Sequence, residues 1–125
     1  MKKQHMMVLA GLMLLSASCG RQHQARTLVD DFMEEHMVNP KAVVGVSYAK
    51  LDSTRVIGDS VIAAMRQAAK RNPYYKPDIT YSEGKPTQLL YITRVDYCID
   101  NDTCQDTYYI NEDLTGIVAF KSNLR

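Results

Sequence analysis

Tryptophan is absent from this 125-residue chain and phenylalanine occurs only twice. Its aromatic packing must therefore rest on eight tyrosines, side chains that favour strands and positions with one wet end. Charge of one sign is also lacking: 15 Lys and Arg stand against 14 Asp and Glu. A nucleic-acid-binding domain carries clustered basic surface, so no nucleic-acid partner is expected. No apolar run approaches the roughly 20 residues that cross a bilayer as a helix. The chain has no G-x-S-x-G, no H-E-x-x-H and no glycine-rich phosphate loop, which removes the usual footing for hydrolase and nucleotide chemistry. Histidine is limited to His5, His23 and His36, too few for a Ser/His/Asp site beyond the helix-borne His36. No enzyme activity, metal or cofactor is expected.

What is present begins with an address. Lys2 and Lys3 precede the apolar run Met6–Leu15, and Ser16, Ala17 and Ser18 are small. That is the layout of an export signal over residues 1–18. Cys19 follows at once, and Ser16-Ala17-Ser18-Cys19 resembles the bacterial lipobox, in which the cysteine thiol is acylated before cleavage. The expectation is a lipid anchor on Cys19, with residues 19–26 as a polar lipidated tether and 27–125 as one domain. Extended, Gly20–Arg26 reaches about 25 Å. Without residues 1–18 the chain loses two lysines and no acid, and its charge turns slightly negative. The implied location is the cell envelope. The residues after Cys19 resemble outer-membrane, periplasm-facing sorting signals, since Gly20 is not the aspartate of inner-membrane retention.

Two further cysteines, Cys98 and Cys104, bracket Ile99-Asp100-Asn101-Asp102-Thr103, which is turn chemistry. In an oxidising compartment pairing is the default. A three-residue loop at Asp100–Asp102 would set the two opposite each other, as a cross-strand disulfide requires. Closing so short a loop contributes about 2.4 kcal/mol.

The domain opens with a helix over Thr27–Met37. Leu28, Val29, Phe32, Met33, His36 and Met37 form one stripe, with Asp30, Asp31, Glu34 and Glu35 opposite. Thr27 is the expected N-cap, and Asn39-Pro40 ends the helix. Ala42–Lys50 alternates as a strand, and Leu51–Thr54 reads as a turn or bulge. A second helix runs from Asp59 or Ser60 to about Arg71, with Val61, Ile62, Met65, Ala68 and Ala69 as its apolar stripe. Residues 72–86 are loop-like, with a short edge strand expected at Ile79–Tyr81. Gln88–Ile99, Asp106–Asn111 and Ile117–Lys121 complete a meander. The order α-β-α-β-β-β points to an α+β fold, with two helices packed on one face of a mainly antiparallel four-stranded sheet.

Several constellations invite chemistry. Asp100, Asp102 and Asp106 suggest calcium, but a calcium loop needs six to eight oxygens and a glycine at its sharp turn, so these acids are expected along a solvated hairpin rim. Glu34 and Glu35 are helix neighbours and point apart. His36 lies on the apolar stripe and reads as a core-edge histidine donating to a carbonyl. The tyrosines are the remaining candidates: Tyr74, Tyr75 and Tyr81 in the loop, Tyr91 and Tyr97 on one strand face. They are either core and sheet filler with hydroxyls at the rim, or the lining of a concavity for a small ligand or partner.

The element order is similar to that of cystatin-like and NTF2-like folds. The segments Asn39-Pro40-Lys41, Lys50-Leu51-Asp52-Ser53 and Tyr109-Ile110-Asn111-Glu112-Asp113-Leu114-Thr115-Gly116-Ile117-Val118 resemble small Bacteroidales-type lipoproteins. These motifs are structural punctuation and bring no catalytic residues. The absence of catalytic motifs and the short tether point to a non-enzymatic envelope lipoprotein whose sheet face or 72–86 loop binds another envelope protein. The alternative is an NTF2-like small-ligand domain or degenerate enzyme with a tyrosine-lined pocket.

Overall fold

A computed structural model describes residues 20–83 and 89–124. The export segment, Cys19, residues 84–88 and Arg125 lie outside the described residues. The first helix, α1, covers residues 20–36. It therefore includes the stretch read from sequence as a tether: Gly20–Arg26 is helix, and Ala25 is completely buried. The side chain of Gln22 explains part of this. Its Oε1 accepts from Leu51 N at 2.8 Å, and its Nε2 donates weakly to Ala49 O at 3.4 Å, fastening the helix start to the body. Thr27 is consequently no N-cap; its hydroxyl donates back to His23 O inside the helix. The apolar stripe is as read, with Val29, Phe32, Met33, His36 and Met37 buried.

A short 3-10 turn, Pro40–Ala42, leads into β1 (Val44–Tyr48) and β2 (Asp52–Thr54). Helix α2 spans Asp59–Ala69, followed by β3 (Leu90–Ile99), β4 (Asp102–Ile110) and β5 (Ile117–Leu124). The α+β class holds. The sheet is open and antiparallel in the order β1-β3-β4-β5, and β2 also pairs with β3. Thus β1 and β2 are two halves of one interrupted edge strand: Tyr48 faces Val95, and Asp52 faces Ile92. The segment Leu51–Thr54, read as turn or bulge, is mostly strand. A further irregularity lies between Val44 and Ser47, where Gly45 takes a φ of +65°. A left-handed glycine there is what a bulge of this kind demands. No strand forms at Ile79–Tyr81; the loop instead bridges back at Met37–Tyr75.

The hairpin between β3 and β4 corrects the cysteine reading. Its loop has two residues, not three. Asp100 and Asn101 both have positive φ, 49° and 70°, the signature of a type I′ turn, which Asp and Asn tolerate. Cys104 therefore faces Tyr97, and Cys98 faces Thr103. Side chains alternate along a strand, so this one-residue difference sends the two thiols to opposite faces. Cys98 is exposed, Cys104 is buried, and both are free. Bridging them would require backbone movement.

The two faces are covered differently. Val95, Tyr97, Ile99, Cys104, Tyr108 and Ile110 pack under α1. Leu90, Tyr109 and Ala119 belong by register to the other face and pack with Ile62 and Met65 of α2. Ala69, one turn on, joins the α1 side. So α2 lies along β5 and reaches both faces, leaving Val61 and Ala68 exposed. The β4–β5 turn is organised by Asn111, whose Oδ1 accepts from Thr115 N at 2.8 Å and Gly116 N at 3.2 Å.

Candidate functional site

Two features stand out: a buried acid among tyrosines, and the free edge at β1. The acid is Asp106. Its register partner is Val95, two residues from Tyr97, so Asp106 and Tyr97 are diagonal neighbours on the α1 face. Tyr108 follows two residues along β4. Tyr75 comes from the loop after α2, where Asn72 shapes the chain. Asn72 Oδ1 accepts from Tyr74 N at 2.9 Å, and its amide donates to Ser122 Oγ at 2.9 Å. The loop is then tied to the end of α1 by Lys76 N to His36 O, at 2.7 Å, and Val38 N to Tyr74 O.

Tyr75 and Tyr97 both donate to Asp106 Oδ2, at 2.7 and 2.6 Å. The hydroxyls of Tyr75 and Tyr108 are hydrogen-bonded to each other. Asp106 is 0 % exposed. Burial pushes its carboxyl above the ordinary carboxylate value, and Ser122, Tyr97 and Tyr75 pull partly back. Ser122 lies opposite in the β4–β5 register, yet Oδ1 has no hydrogen bond of ordinary geometry among the described residues. Burial likewise raises the Tyr75 and Tyr108 hydroxyls well above the usual phenol range. Phe32 seals the cluster, edge-on to Tyr108 and Phe120 at 5.7 and 5.6 Å.

This arrangement corrects the sequence reading of Asp106 as a solvated rim acid. The signal was present: once β4 is known to start at Asp102, Asp106 falls on the same parity as Cys104, Tyr108 and Ile110. Among the described residues the cluster is a hydrogen-bonded acid–tyrosine network buried in the core. Tyr97 and Tyr108 are closed in by the core, and their hydroxyls lie inside it, not at the rim.

The five tyrosines singled out from sequence do not gather in one concavity. Tyr75 and Tyr97 are core. Tyr74 is half-buried and donates to Asp102 near the hairpin. Tyr81 packs on Phe32, under the Arg66 guanidinium at 4.9 Å from its ring. Burial pushes its hydroxyl up to about 12, against the pull of Arg66. Tyr91 shares a separate depression with Arg21 and Lys50. His36 is buried against Phe32, ring centroids 4.6 Å apart.

The free edge is built otherwise. Among the described residues, β1 pairs with β3 on one side only. Val44 is 61 % exposed and Val46 43 %. Between β1 and α1 runs a cleft of about 290 Å³, lined by Met33, Pro40, Val43 and Val46, with Asp30, Glu34 and Lys41 at its margins. Tyr48 closes one end by donating to Asp30. Sequence reasoning saw the alternation of β1 but not that this strand would be left at the edge.

Among the described residues no cluster of His, Cys, Asp and Glu is placed to hold a metal, and no helix is long and apolar enough to cross a membrane. Comparison of the chain with protein-family models, curated proteins and solved structures finds no match.

Proposed function

We propose that this protein is a non-enzymatic interaction module of the bacterial cell envelope, anchored by lipid on Cys19, that receives an extended segment of another envelope protein along β1. The observation that carries this reading is the free β1 edge, where Val46 lines an apolar cleft against α1 and Val44 is exposed on the opposite face. An edge strand offers unpaired backbone groups to an added strand. Two large exposed apolar side chains beside such an edge fit a site that another chain covers. The Gly45 bulge breaks the regular run, so an added strand has short stretches to pair with. Most of its contact would fall on Val44, Val46 and the cleft. The buried acid–tyrosine cluster supports a scaffold role: hydroxyls from β3 and a distant loop converge on one carboxylate oxygen and so favour one packing of the core.

The test is a photo-crosslinking residue placed at position 44 in cells, with the exposed turn position 112 as control. One discrete crosslinked protein is expected at 44, lost when Val46→Asp is added, and absent at 112. No crosslink at 44 with the protein at native level, or equal crosslinking at 112, would sink the interaction reading. Membrane fractionation of Cys19→Ser tests the anchor separately. The variant is expected to leave the membrane or to remain uncut, with its fold intact.

A further inference from the structure

We infer that the corner of the domain formed by Arg21, Lys50 and Arg55, with Val56 beside them, lies against the anionic headgroups of the membrane that carries the anchor. On this reading the domain is mounted there in a fixed orientation. This rests on the lipid anchor at Cys19. The argument starts from the helix. Residues 20–26 form the first turns of α1 and supply no flexible spacer. Gln22 is fastened to the backbone of Leu51, and Ala25 is buried. Whatever Cys19 is joined to is thus one residue from a fixed point on the body.

That point identifies the surface nearest the lipid. Helix α1 runs antiparallel to the β1–β2 edge: Glu34 lies by Val43 and Val46, Asp30 by Tyr48, and Gln22 by Leu51. Arg21 and Lys50 flank one shallow depression at this end. Beyond it the chain continues through β2 to Arg55 and Val56, the latter 86 % exposed. Thr54 Oγ1 accepts from Val56 N at 3.3 Å, shaping the turn that presents this valine. Three cations and one exposed apolar side chain therefore sit where the anchor brings them to the bilayer. Two acids share this end: Asp52, with an oxygen engaged by Ser53 N at 2.8 Å, and Asp59 at the start of α2. Glu112 and Asp113 lie in the β4–β5 turn at the same end of the sheet, two strands from β2. A basic side chain at an anionic surface strengthens binding about fivefold. At the far end, α1 carries the chain about 25 Å away, so the cleft and the β3–β4 hairpin face away from the lipid.

The test uses the full chain purified from envelope membranes, in a Cys98→Ser background, with a fluorophore on Val56→Cys or on Thr103→Cys at the far end. The mass of its N-terminal peptide is read first and decides the anchor by itself. The protein is then reconstituted in vesicles of phosphatidylcholine, alone or mixed with phosphatidylglycerol, containing a headgroup-level nitroxide lipid. Quenching is expected at position 56, not at 103, and stronger with phosphatidylglycerol. Combining Arg21→Ala, Lys50→Ala and Arg55→Ala should reduce it to the level seen at 103, with the anchor retained. Equal quenching at both positions, or quenching at 56 that the triple variant leaves unchanged, would overturn the fixed mount. If the N-terminal peptide carries no lipid, the anchor reading fails alone. Co-sedimentation of the same protein with phosphatidylglycerol vesicles then judges the surface. About fivefold weaker binding for each cation removed supports it, and indifference to the triple variant overturns it.

Discussion

Replacing Asp106 with asparagine separates two roles that the buried carboxyl combines, hydrogen-bond acceptor and acid. Asparagine keeps one acceptor oxygen for Tyr75 and Tyr97, which donate at 2.7 and 2.6 Å, and removes the titration. In the wild type, burial raises the carboxyl above its ordinary value. The folded state therefore holds the proton more tightly than the unfolded chain. Stability from this group is fully present below the unfolded value and is lost as pH rises through the folded one. The loss is about 1.4 kcal/mol for each pH unit separating the two values. Asparagine carries a constant penalty of about 1–3 kcal/mol, because its amide points where Oδ1 has no partner. That penalty shifts the whole curve and leaves its slope flat. Urea unfolding from about pH 4 to 8 should show wild-type stability falling with pH relative to Asp106→Asn. The gap between the two should shrink or reverse at neutral pH. Parallel curves across that range would refute the claim that burial governs this carboxyl. Asp106→Ala serves as the control: it removes the acceptor of Tyr97 at about 1–3 kcal/mol, while Tyr75 keeps Tyr108, whatever the pH.

The thiols should behave as the register dictates. Alkylation of the native protein should modify Cys98 and spare Cys104 until unfolding, and a reductant should leave the urea midpoint unchanged; a drop of about 2 kcal/mol on reduction would mean the hairpin pairs differently. Phe32→Ala should cost about 3–5 kcal/mol, because Phe32 seals the tyrosine cluster, and unfolding measurements showing less than about 1 kcal/mol would contradict that packing. At Gly116 an added Cβ would meet Ser82 Cβ at 2.6 Å and Oγ at 2.8 Å. Gly116→Ala should destabilise by about 1–3 kcal/mol, and Ser82→Gly in the same chain should recover much of that in a double-mutant cycle. Gln22→Ala should cost about 1 kcal/mol and loosen the start of α1, read as faster amide exchange over residues 20–26.

Periodicity by itself determined the type of the long elements, the two helices and the meander strands, but not of Gly20–Arg26, Leu51–Thr54 or Ile79–Tyr81. The 3.6-residue stripe of Val29, Phe32, Met33, His36 and Met37 is buried along α1, and the alternation Tyr91, Val95, Tyr97, Ile99 marks the α1 face of β3. Those patterns follow from backbone geometry within one segment and needed no partner to be read. What only the tertiary structure decided concerns pairing between segments. A two-residue and a three-residue loop can be written with the same Asp-Asn-Asp, yet they differ by one register step. That step moved Cys104 inward, left Cys98 outside and fixed which way each β4 side chain points. Asp106 looked like a rim acid because local composition favours solvent for a carboxylate. It is buried because hydroxyls from β3 and a distant loop converge on it. The start of α1 was hidden for the same reason: Gly20–Arg26 is polar and reads as a spacer, until Gln22 finds the backbone of Leu51, 29 residues away. Local sequence sets what a segment prefers, and long-range partners decide where it lies.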